Sequence, residues 1–175
     1  MKTGRKIKRV GEFEKVSFDK FYAAIKEKFG VDEQYAKETY DKILLPSRAT
    51  AGSAGYDFYA PFDITLCPKG TVEIPTGICV KIDEGWWLGC LPRSGLGFKY
   101  RVQLDNTMGV IDGDYYYSDN GGQIFAKITN DSMEDKTVDI AASDRFMQAI
   151  FIPYGITYSD NTQNKRNGGF GSTGK

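Results

Sequence analysis

The sequence predicts an all-β subunit with a small α-helical extension at its N-terminus. From Leu44 onward, short runs alternate apolar with small or polar residues and are separated by Gly, Pro, Asp and Asn turns, the period of half-buried strands. No long helical pattern interrupts them, which points to a sandwich, barrel or jelly roll. Before Leu44 the period changes: Phe18, Phe21, Tyr22, Ile25 and Phe29 fall on one helix face.

The elements follow in order. Residues 6–16 hold a short strand. Ser17 stands as an N-cap and Gly30 as the stop of the first helix. A second helix starts at Asp32, with Tyr35, Ala36, Thr39, Tyr40 and Ile43 on one side. A segment of about 40 residues holds little core of its own. Residues 1–42 are therefore expected to pack as an extension against a main domain over residues 43–175. Strands are expected at residues 71–74, 78–82, 124–128, 137–140 and 147–152. Residues 159–175 are polar and glycine-rich and form an arm expected to be mobile without ligand.

Composition narrows the function. Lys plus Arg and Asp plus Glu both number 23, so the net charge is zero. That argues against gripping long nucleic acid through its phosphates and leaves room for a small anion held by local cations. Hydrophobic residues make up 41%, enough for a real core. The basic N-terminus leads into no apolar stretch, and no run is long enough to span a membrane, so a soluble cytoplasmic protein is expected. Cys67, Cys79 and Cys90 form no CxxC pair and read as buried free thiols in a reducing compartment. The chain has no histidine, which removes Ser-His-Asp and Cys-His nucleophiles and HExxH zinc sites. A general base working near neutral pH must be a carboxylate, Lys, Tyr or Cys.

Two familiar patterns fail on context. Gly169 to Gly174 fits GxGxxG, but a Rossmann unit needs a helix to follow and only Lys175 does. The same stretch lacks the Ser or Thr of a P-loop after Gly174-Lys175. What remains is a glycine-rich tail able to present N–H groups and hydroxyls to phosphate.

Five segments carry chemistry: Ala54-Gly55-Tyr56-Asp57, Pro92-Arg93-Ser94-Gly95-Leu96-Gly97, Asn106 through Tyr115, Ser143-Asp144-Arg145-Phe146-Met147-Gln148, and Arg166-Asn167-Gly168-Gly169-Phe170-Gly171-Ser172-Thr173-Gly174. Each alone reads more readily as a turn, a strand cap, a hairpin, a surface ion pair or a linker. Together and in this order, over residues 44–175, they resemble the trimeric dUTPase family. The resemblance implies a jelly-roll-like homotrimer whose active sites draw on more than one subunit. It implies hydrolysis of dUTP to dUMP and pyrophosphate with Mg2+, by in-line attack of water on the α-phosphorus.

The resemblance also assigns roles. Asp112 would hold and deprotonate the attacking water. Asp57 would hold the waters of the metal without ligating it directly. Arg93, Ser94 and Gly95 would bind the phosphate chain, with Gln148 beside it. Asn106 and the hairpin around Gly109, Val110 and Ile111 would read uracil, and Tyr115 would pack on deoxyribose and exclude a 2′-hydroxyl. Arg166, Ser172 and Thr173, with Gly171, would clamp the terminal phosphate, and Phe170 would stack on the base.

Three departures stand out. Residues 116–121 are an insertion after the third segment. The arm is one residue short between its Arg and Phe, so Lys165 or Arg166 takes the terminal phosphate, the guanidinium fork favouring Arg166. Gly97 replaces a common Ala. Two rival readings remain: a dCTP deaminase, which shares the fold, and a regulatory protein acting through a protein partner, for which the extension and the inserted loop could serve.

Overall fold

The structure, a computed structural model, describes residues 7–164. The extension forms strand β1 (Gly11–Lys15), helix α1 (Phe18–Phe29) and helix α2 (Glu33–Lys42). Gly30 ends α1 in the left-handed region at φ 66°, its N–H donating to the Lys26 carbonyl at 2.8 Å. Ser17 occupies the N-cap position without a side-chain cap bond. Asp32 caps α2 by accepting from the Tyr35 N–H at 2.8 Å.

The remaining described residues are mostly β-sheet. Strands β2 (Tyr56–Tyr59), β3 (Ile64–Leu66), β4 (Thr71–Pro75), β5 (Ile78–Ile82) and β6 (Trp86–Pro92) lead to a short helix α3 (Ser94–Tyr100). Strands β7 (Val102–Leu104) and β8 (Gly109–Ile111) precede a 3-10 turn (Gly113–Tyr117), and β9 (Phe125–Asn130), β10 (Val138–Ile140) and β11 (Arg145–Pro153) complete the order. The five runs expected from alternation fall in β4, β5, β9, β10 and β11. A four-stranded sheet has the order β2-β11-β6-β8, a three-stranded sheet the order β4-β9-β7, and β1-β5 and β10-β3 form pairs. Pairing among the described strands is antiparallel. Their inward residues make one core, in which Ile74, Leu88, Val138 and Ala149 keep no exposed surface.

Two expectations need correction, and one element is not foreseen by the sequence. The segment after Pro92 forms helix α3, despite Gly95 and Gly97. Leu96 and Tyr100, one turn apart, are half-buried and both pack against the core, and that packing overrides a poor intrinsic propensity. The third segment is not a hairpin. β7 pairs with β9 and β8 with β6, so the chain crosses between sheets at residues 105–108. The crossing uses Thr107 at φ 65° and a tight bond from the Met108 N–H to the Asn106 carbonyl. Finally, Cys67 is exposed; only Cys79 and Cys90 are buried. No described helix is long and apolar enough to cross a membrane.

The extension shares the core. Phe21 and Ala36 are fully buried, and Ile25 nearly so. Gly77, at φ 70°, lies so close beneath them that a Cβ there would sit 2.4 Å from the Ile43 side chain and 3.1 Å from the Phe21 ring. Only glycine suits both the backbone angle and the contact. Burial of one such aromatic stabilises by about 1.5–3 kcal/mol, and truncation adds a cavity term. Phe21→Ala is expected to cost about 3–5 kcal/mol in a urea titration; a loss below about 1 kcal/mol would show that the extension stands apart from the core.

Candidate active site

The sheet order β2-β11-β6 builds one part of the site. Gln148 on β11 lies opposite Asp57 on β2 and Leu91 on β6. Its Nε2 donates to the Pro92 carbonyl at 3.0 Å. A Cβ on Gly55 would meet its Oε1 at 2.9 Å, so the glycine keeps room for the amide. Asp57 is buried, with Arg93 Nε at 2.9 Å from one carboxylate oxygen and Arg145 Nη1 at 3.4 Å from the other. Arg93 also donates to the Arg145 carbonyl at 3.2 Å. A buried carboxylate is tolerable only with such partners. Asp57, Arg93 and Gln148 line a cavity of about 330 Å³ with Ser53, Ala54, Gly55 and Ser94. Gly95 lies in the first turn of α3, exposed and with open space around its α-carbon.

A second cavity, of about 590 Å³, lies between the two larger sheets. Asn106, Gly109, Val110, Ile111, Asp112 and Tyr115 all line it. Gly109 rests on Cys90, where a Cβ would come within 3.1 Å of the cysteine Cβ. Burial pushes the Cys90 thiol up to about 12, so this wall is neutral and unreactive. Tyr115 is buried and its hydroxyl donates to the Gln123 carbonyl at 2.7 Å. Asp112 is half-buried at the N-cap of the 3-10 turn, where its carbonyl accepts from the Tyr115 N–H at 3.1 Å.

The two cavities are not one. Asp112 lies one residue beyond the Ile111–Leu88 pair, and Arg93 lies five residues beyond Leu88 the other way. At about 3.3 Å per residue, the ladder separates them by roughly 20 Å. Within one chain, therefore, Asp57, Arg93, Arg145 and Gln148 of the first, second and fourth segments meet, and Asp112 of the third stands apart. Lys165, Arg166, Phe170, Gly171, Ser172 and Thr173 lie outside the described residues.

Arg145, to which the sequence assigns no role, joins the site through Asp57, and the guanidinium in Ser143-Asp144-Arg145 is the signal for it. Asp105, Phe125, Lys127 and Met147 also line the larger cavity, and only tertiary folding brings them there. Burial alone would raise the Asp105 carboxyl, but bonds from Thr129 and Lys127, the Lys127 charge and a bond from Thr71 outweigh it and hold the group below its ordinary value.

The comparisons agree with this architecture. The dUTPase family model matches residues 41–174. The deoxyuridine 5'-triphosphate nucleotidohydrolase of Lactococcus lactis is 38% identical over 135 residues, covering 75% of this chain and 89% of the relative. That of Tolumonas auensis is 38% identical over 143 residues, covering 77% and 90%. The crystal structure of the Streptococcus mutans dUTPase superposes with a TM-score of 0.61 at 33% identity, over 83% of this chain and 97% of that one. The dUTPase of Staphylococcus aureus phage phi11 shares the fold, with a TM-score of 0.61 at 18% identity, over 89% and 97%. The chain belongs to the dUTPase family, which makes it a dUTP diphosphatase.

The Asp105 network has a pH signature. A carboxylate whose folded pKa is depressed contributes stability that is complete above the unfolded pKa and fades as pH falls through the folded one. Thr129→Val removes a donor and brings Asp105 nearer its ordinary value. The variant is expected to have a lower urea midpoint than the wild type at neutral pH, with the gap closing in strong acid. A gap that widens on acidification would remove Asp105 from this role.

Proposed function

We propose that the chain works as a homotrimer of jelly-roll-like subunits that hydrolyses dUTP to dUMP and pyrophosphate at sites shared between copies. The observation that carries this is the separation of Asp112 from Arg93 by most of a strand. A nucleophile-activating carboxylate and the phosphate-binding arginine must reach one triphosphate, and a rigid ladder denies that within a single chain. A second copy, presenting its larger cavity to the smaller one, supplies the missing half.

In this reading the larger cavity takes the nucleoside. The main chain of Gly109, Val110 and Ile111, with Asn106, reads the uracil edge, and a wrong base leaves buried polar groups unpaired. The buried Tyr115 ring packs on deoxyribose and leaves no space for a 2′-hydroxyl. The Asp112 carboxylate holds a water in line with the α-phosphorus and takes its proton. On the other copy, Arg93, Ser94, Gly95 and Gln148 hold the phosphate chain, where guanidinium charge stabilises the negative charge that builds up. The arm completes the site, with Arg166, Gly171, Ser172 and Thr173 on the terminal phosphate and Phe170 over the base.

Mg2+ fits the donor set. Asp57 is the acid lining the smaller cavity, and no cluster of three or more metal-binding side chains exists among the described residues. A Mg2+ carried by the triphosphate, with Asp57 accepting from its waters through remaining lone pairs, suits such a site. When bound, the ion neutralises charge on the phosphate oxygens. Three free thiols fit the reducing cytoplasm.

Incubation with dUTP, dCTP and dTTP is expected to release pyrophosphate from dUTP alone; ammonia from dCTP would instead indicate a deaminase. Asp112→Asn is expected to bind nucleotide but lose about 10²–10⁴ in kcat, and near wild-type turnover would take the base role from Asp112.

A complementation assay addresses the sharing. Arg93→Ala, in which Arg145 still pairs with Asp57, and Asp112→Asn are each expected to be nearly inactive. Refolding the two together should restore activity through sites built from one intact half of each. Mixed oligomers that stay inactive would mean that both residues serve from the same copy.

A further inference from the structure

Two features lie outside the catalytic account: the N-terminal extension, most of which precedes the family match, and the insertion at residues 116–121. In the structure they bind each other. The Tyr116 hydroxyl donates to Glu14 Oε2 on β1 at 2.8 Å, in a part-buried position. Glu14 is fixed in turn by its strand, opposite Cys79 on β5. The Glu14 carboxylate, by accepting this bond, pushes the Tyr116 phenol up from its ordinary value, which keeps the hydroxyl a donor.

A second thread runs beside the first. The buried Gln123 accepts from the Gly77 N–H at 3.2 Å and donates to the Lys20 carbonyl of α1 at 3.4 Å. Its own carbonyl receives the Tyr115 hydroxyl at 2.7 Å. Asn120 donates to the same hydroxyl at 2.8 Å, and Ser118 Oγ donates to the Tyr115 carbonyl at 2.7 Å. Gly122, at φ 69°, allows the loop to close: a Cβ there would fall 2.7 Å from the Tyr116 α-carbon. Both threads converge on the 3-10 turn that Asp112 caps and that carries Tyr115.

We infer that Tyr116 and Glu14 are positioning residues for dUTP hydrolysis: their bond clamps the 3-10 turn to the extension and so sets the Asp112 carboxylate and the Tyr115 ring. Neither is a catalytic residue, since each acts through the turn. The inference rests on the proposed roles of Asp112 and Tyr115. Without the clamp, the turn keeps its Gln123 and Asn120 bonds but loses its tie to β1. Its acid then samples positions away from the attack line, and the wall against the 2′-hydroxyl loosens.

The test compares Tyr116→Phe, Glu14→Ala, their double variant and Glu14→Gln, with kcat and KM for dUTP and for UTP and a thermal melt of each. Tyr116→Phe and Glu14→Ala are expected to lower kcat about tenfold, less than the hundredfold that a 1 Å misplacement can cost. KM for dUTP should change little, and the preference for dUTP over UTP should fall by a similar factor. The double variant should be no worse than either single one, and Glu14→Gln, which keeps an acceptor oxygen, should recover most of the loss. Unchanged kcat and unchanged dUTP/UTP preference in Tyr116→Phe and Glu14→Ala would overturn the clamp, as would independent, multiplying effects. A wild-type protein that releases no pyrophosphate from dUTP would overturn the proposed function itself, a separate outcome read in the same assay.

Discussion

The pairing of β11 with β2 on one edge and β6 on the other is the constraint on which the site depends. That register sets Gln148 beside Asp57 and Leu91, and with them the two arginines that share the Asp57 carboxylate. Three stretches of sequence that are distant along the chain become neighbours because a central strand must satisfy its backbone groups on both sides. A slip of one residue would turn every one of these side chains to the opposite face.

The same sheet enforces a division of labour. β8 continues the ladder beyond β6, so the larger and the smaller cavity border one sheet yet lie toward different ends of it. Rigidity here serves precision, since groups on strands hold position better than groups on loops. Under the proposed sharing of sites, each chain gives its larger cavity to one site and its smaller cavity to another. The extension adds to that rigidity from outside the family region, through β1 along β5 and through Phe21 packed over Gly77.

Much of this was legible in the sequence, for physical reasons. Period-2 alternation marked β4, β5, β9, β10 and β11, and the Phe21, Ile25 and Phe29 spacing with Gly30 and Asp32 marked both helices of the extension. Cap and turn chemistry is local, so the chain itself displays it. Helix α3 was hidden because Gly95 and Gly97 argue against it, and only the packing of Leu96 and Tyr100 decides otherwise. The crossing between β7 and β8 was hidden because two strands around a turn look alike whether they pair with each other or with separate sheets. The Tyr116–Glu14 contact joins residues about a hundred positions apart, and nothing in either neighbourhood announces it.

The twin arginines on Asp57 carry one more implication. With both its oxygens engaged, the Asp57 carboxylate offsets one of the two guanidinium charges, so the trio keeps a net positive charge before any nucleotide arrives. An incoming polyphosphate would then exchange one anion for another at Arg93 instead of discharging an isolated cation. Such a swap would temper the grip on the ligand and, in the proposed reaction, would ease the departure of pyrophosphate as Asp57 regained its arginine.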